Sequence, residues 1–93
     1  MAYELYIRNE VKKTYDAPTE SFPMEIHKLN NLVDVFRKMR DYSKSCINEE
    51  KVAKLANWHE VAFNCVIFKE MYKSLWDSYY LLTFSIYEVE DKE

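Results

Sequence analysis

The chain of 93 residues contains no glycine. Average usage near 7% would supply about six. Glycine enters left-handed backbone without steric cost and lets a backbone approach a phosphate closely. Its absence excludes the GxGxxG loop, the Walker loop, the nucleophile elbow and the ordinary EF-hand turn. Turns must then be made by Asn, Asp, Ser and Pro. A chain under that constraint is expected to turn seldom and to use long elements.

Two stretches alternate with period two. In residues 3–15, Tyr3, Leu5, Ile7, Val11 and Tyr15 share one phase with Asn9 and Lys13, while Glu4, Tyr6, Arg8, Glu10, Lys12 and Thr14 take the other. This predicts a half-buried strand over about 3–9, which residues 11–15 either extend or follow as a second short strand. The stretch SYYLLTFSIYEVE predicts a strand over about 79–89, with Tyr80, Leu82, Phe84 and Ile86 on one face. Residues 90–93 read as an acidic tail.

Between the terminal strands the sequence reads as helical. DAPTESFP holds both prolines and predicts a loop over 16–22. Pro23 suits a first helical position, with Ser21 or Thr19 as cap. Ile26, Leu29, Leu32, Val33, Phe36 and Met39 then recur at spacings of three and four, which predicts a helix over about 23–44. Asn48 suits an N-cap, and Glu49 and Glu50 suit the positive end of a helix dipole. A second helix is expected over about 48–77, with WHEVAFNCVIF (58–68) as its midsection. The flanks EEKVAKLANW and KEMYKSLWD favour helix and no breaker intervenes; strand is the alternative for VAFNCVIF. The expected fold is therefore a single α+β domain of order β-α-α-β. Two long helices would pack on a short antiparallel sheet formed by the terminal strands. Two strands alone are marginal and leave open edges. A homodimer, or a target that accepts an edge strand, would close them.

The motifs for chemistry are incomplete. His59-Glu60 does not continue as HExxH, because Phe63 stands where the second His is required. Cys46, Cys65, His27 and His59 contain no close pair to seed a metal site. Cys65 sits in the most apolar run, where a thiol is inert, and Cys46 reads as the more exposed one. No two carboxylates share an apolar setting as an acid–base pair would. The reading is a protein that is not an enzyme, with no catalytic residue, metal or cofactor. Two cysteines, no apolar run near 18 residues and no basic leader before an apolar run point to the cytoplasm and away from a membrane.

Aromatic content is the other departure from average: eight Tyr, five Phe and two Trp. Such residues anchor protein interfaces. On the expected second helix apolar groups point nearly all round, more than a small fold can cover. Trp58, Val61, Phe68, Tyr72 and Trp76, with Tyr79 just beyond, are the candidate partner-binding residues. In composition the chain resembles the small accessory proteins of phages and other mobile elements. Many of those bind and inhibit a host protein, including nuclease-blocking anti-defence proteins; the resemblance assigns no residue. The expected function is a protein-binding module, an inhibitor or adaptor that covers a functional surface of a larger protein target. Arg37, Arg40 and Lys44 share one helix side and form a candidate patch for phosphate or an acidic partner. A net charge of −3 argues against bulk attraction to nucleic acid. That patch with tyrosine stacking nevertheless keeps a second reading open, a binder of small ligands or nucleic acid.

Overall fold

The fold comes from a computed structural model that describes residues 2–14, 16–47, 52–74 and 78–89. Strands are β1 (Ala2–Lys12), β2 (Glu20–Ser21), β3 (Glu25–Leu29), β4 (Val52–Ala62), β5 (Cys65–Ser74) and β6 (Tyr79–Val89); the helix α1 spans Leu32–Ile47. All strands belong to one antiparallel sheet of order β2-β1-β6-β5-β4, and β3 also pairs with β1. Together β2 and β3 line one edge of β1, with β3 opposite Tyr3 to Ile7 and β2 opposite Glu10 and Val11.

The two alternating stretches meet as their patterns require. β1 and β6 pair from Ala2↔Val89 to Lys12↔Tyr79, which sets Leu5 against Ile86, Ile7 against Phe84 and Asn9 against Leu82. One inner face results, since a slip of one residue would send both apolar sets to the other side. α1 packs on that face over β1, β3 and β6. Leu5, Ile7, Val35, Met39, Tyr72, Leu82, Phe84 and Ile86 form the core. Tyr42 stands edge-on to Phe84 with centroids 6.1 Å apart.

The expected pair of long helices is corrected in both halves. Residues 25–29 are strand, and helix begins only at Leu32. Asn31 explains the late start. Its Oδ1 accepts from the Asp34 backbone N–H at 2.9 Å, and its Nδ2 donates to Asp34 Oδ2 at 3.1 Å. Asn31 satisfies an orphan N–H of the first turn and Asp34 lies at the positive end of the dipole, while Ile26 and Leu29 complete the free edge of β1. The helix consequently turns Val35, Met39 and Tyr42 inward. Of the expected apolar stripe only Met39 is buried; Leu32, Val33 and Phe36 are exposed.

The expected helix over 48–77 is replaced by the β4–β5 hairpin. Helix preference is worth only tenths of a kcal/mol per residue. Against it stands a ten-residue β5 that pairs with β6 from Cys65↔Tyr87 to Lys73↔Tyr79 and places Tyr72 in the core. WHEVAFNCVIF is thus the end of β4, a two-residue turn at Phe63 and Asn64, and the start of β5. Asn64 supplies the tolerance of left-handed backbone that glycine would otherwise bring. The long elements expected of a glycine-free chain are strands of 10 and 11 residues. A register shift between Lys54 and Ala56 marks a bulge. It leaves Lys54 opposite Tyr72 on the inner face, while Ala56, Trp58, Glu60 and Ala62 take the outer face.

Candidate docking surface

β5 and β4 lie beyond the strands on which α1 packs, and α1 reaches β5 through side chains. Phe36 stands edge-on to Phe68, with centroids 5.9 Å apart and planes at 78°. Ser43 Oγ donates to Glu70 Oε2 at 3.1 Å. A trough therefore runs between the outward side of α1 and the inner face of the hairpin. At the hairpin tip Leu32, Phe36, Val61, Phe63, Val66 and Phe68 line a hollow of about 370 Å³. Val61 is 74% exposed and Phe63 is fully exposed. The His59 ring lies 6.0 Å from Phe68, so Phe68 stands between His59 and Phe36.

The other end of the trough is basic. Phe36 continues into a cleft of about 520 Å³ whose lining includes Arg40, Lys44 and Lys54. Its floor is held by Glu70, which accepts from Ser43 and from the Tyr72 hydroxyl and lies 3.8 Å from Lys54 Nζ. Lys54 Nζ is also 5.8 Å from the centroid of the Tyr72 ring. Glu70 has its oxygens engaged and ties the helix to β5, which sets the width of the trough. Arg37 lies 3.8 Å from Asp34, and Arg40 and Lys44 have no ion-pair partner among the described residues.

The candidate residues read from the sequence fall in three places. Val61 and Phe68 lie in the trough. Tyr72 is buried in the core at 4% exposure, with its hydroxyl on Glu70. Trp58 and Tyr79 are on the outer face of the sheet, where Lys73 Nζ sits 5.7 Å from the Tyr79 ring centroid. Trp76 lies outside the described residues. Arg40 and Lys44 flank the basic end, and Arg37 borders Val33, Phe36 and Arg40 on the same side of α1. Sequence reasoning missed Leu32, Phe36, Phe63 and Lys54. The signal for the first two is Asn30-Asn31: a cap there rotates the helix and leaves two apolar stripes, one of them without an internal partner.

The outer face carries its own aromatic pair. Tyr6 and Tyr87 have ring centroids 5.0 Å apart, and Tyr6 donates to Glu4 Oε2 at 3.0 Å. The hydrogen bond to Glu4, then its charge, raises the Tyr6 hydroxyl above its ordinary pKa. Tyr87 is raised first by its hydrogen bond with Cys65, the residue opposite it in β5. Cys65 itself is buried.

No family model, curated protein or solved structure matches the chain. Among the described residues no helix is long and apolar enough to cross a membrane.

Proposed function

We propose that this chain is a non-catalytic protein-binding module whose docking surface is the trough between α1 and the β4–β5 hairpin. One observation carries the reading. Leu32, Phe36, Val61 and Phe63 are exposed together on a concave surface that adjoins the core but is covered by no described residue. Contiguous exposed apolar surface of this kind marks interaction sites, and aromatic side chains supply most of their binding energy. The module acts by covering part of a partner, with the cations at the basic end setting orientation and encounter rate.

The experiment is site-specific photo-crosslinking in the native host. A photoreactive residue at Val61 is compared with one at Thr83, which faces the opposite side of the sheet. A discrete heavier product from position 61, absent at 83 and removed by Phe63→Asp, is the expected result. Equal labelling at both positions, or none at 61, overturns the reading.

The basic end favours a second reading, in which Arg40, Lys44 and Lys54 hold a small anion. Tyr72 is buried there, which favours an acidic side chain over a stacked base as the group they meet.

A further inference from the structure

The trough has a definite width, length and charge polarity. Strands are spaced about 4.8 Å apart, so β4 together with the part of β5 that α1 touches only through Phe36 and Ser43 presents a shelf of at most about 10 Å. That is the diameter of one α-helix with short side chains. α1 has 16 residues, so the trough beside it is about 24 Å long at 1.5 Å per residue. A sheet face is stable when a second layer covers it, and among the described residues one helix lies on this face, over β1, β3 and β6.

The chemistry along the shelf is graded. Leu32, Val61, Phe63 and Phe68 lie at the tip, with Phe36 in the middle. Arg40, Lys44 and Lys54 lie at the far end. Glu88 is the acidic residue at the tip end, and Glu70 at the far end is already engaged by Ser43, Tyr72 and Lys54. Among the described residues, Arg40 and Lys44 are the cations of the trough that have no ion-pair partner. A second copy of this chain laid α1 against α1 would bring those cations, and Arg37, toward their own kind, which opposes association.

Resting on the docking reading above, we infer that the occupant is an amphipathic helix of another protein, apolar along one face and acidic toward one end. It lies beside α1 on the inner face of β4 and β5 and completes the second layer. Its apolar residues meet Phe36, Val61 and Phe68, and its carboxylates meet Arg40 and Lys44.

The test uses designed peptides of about 16 residues, matched to the length of α1. All carry the same leucine stripe. One is flanked by Glu, one by Lys, and a third is the Glu peptide interrupted by two prolines. Binding is read from amide shifts of Val61 and Phe68 against Thr83, and affinity from anisotropy of the labelled peptide. The Glu peptide should bind the wild type best, and the proline peptide should lose that binding. Arg40→Glu with Lys44→Glu should weaken the Glu peptide at least about tenfold and improve the Lys peptide, the exchange expected of complementary charges. Both substituted residues are exposed, and circular dichroism confirms that the variant folds. Equal binding of the Glu and Lys peptides overturns the inference, as does undiminished binding of the proline peptide. A wild-type dimer that Val61→Asp dissociates overturns it in favour of a second copy. If no peptide binds while Val61 still crosslinks in the host, the docking surface stands and the helical occupant falls. If both fail, both readings fall.

Discussion

Replacing Asn31 by alanine tests where α1 begins. Asn31 donates to and accepts from Asp34, and its carbonyl accepts from the Val35 N–H at 3.2 Å. Alanine keeps the carbonyl bond and loses both side-chain bonds. Loss of an N-cap costs about 1 kcal/mol, within a range of about 0.5–2. Val35, the residue that follows Asp34, is fully buried against the sheet, so fraying of the first turn would disturb core packing as well as the cap. About 1.5 kcal/mol is therefore expected. For a domain of this size that lowers Tm by roughly 6–12 °C, at about 4–8 °C per kcal/mol. Asn31→Ser should recover most of the loss, because Ser ranks beside Asn as a cap. Ser21→Ala is the control. Ser21 would cap a helix starting at residue 23, but here it is exposed in β2, so its loss should stay within about 0.5 kcal/mol. The assay is urea and thermal unfolding followed by circular dichroism. A neutral Asn31→Ala together with a costly Ser21→Ala would refute the late helix start and return the chain to the helix first expected over 23–44.

Three further outcomes follow from the same packing. Phe84→Ala should cost about 3–5 kcal/mol in urea unfolding, a large part of the stability of a small domain, because Phe84 is fully buried beneath Tyr42 and between Ile7 and Phe68. Glu70→Ala should cost about 1–3 kcal/mol by leaving the hydroxyls of Ser43 and Tyr72 without their acceptor, and Glu70→Gln should cost less; equal losses for the two would show that the acceptor oxygen is not what matters. The raised hydroxyls of Tyr6 and Tyr87 set an alkaline limb: the folded state keeps protons that the unfolded chain releases near pH 10, so their contribution is whole below that pH and is lost as pH rises through the raised values. Stability measured from pH 8 to 11.5 should fall less steeply in the Tyr6→Phe, Tyr87→Phe double variant, and an unchanged slope would count against this pairing.

What the sequence made legible was the half of the fold whose pattern has one interpretation. Strict alternation at Leu5 and Ile7, and again at Leu82, Phe84 and Ile86, fits a strand and little else, and these residues meet in the core as a strand pair. The middle of the chain was ambiguous for a physical reason. Ile26 and Leu29 stand three apart, as on a helix, but β3 has only five residues, too few to show its period. In WHEVAFNCVIF the helix-favouring flanks outweighed the β-branched centre, because nothing local records that β6 has a second edge to fill. That edge exists only once β1 and β6 have paired, so the choice of strand is tertiary. The lining of the proposed docking surface was legible only in part. Val61 and Phe68 were singled out because they are conspicuously apolar, whereas Phe36 was assigned to the buried stripe of a helix rotated away from its true phase. Trp58 and Val61 were both read as surplus apolar surface of one expected helix, and the pleat of β4 places them on opposite faces of the sheet.

The bulge in β4 bears on how this protein can be kept from polymerising. No described strand pairs with the far side of β4, and an eleven-residue edge is an ample template for an incoming sheet. The shift between Lys54 and Ala56 splits that template, because the row of outward backbone groups changes phase there. An approaching strand can stay in step over Ala56 to Ala62 or over the residues before Lys54, but not over both. The same irregularity that carries a lysine into the trough thus shortens the ladder on which a fibre could grow.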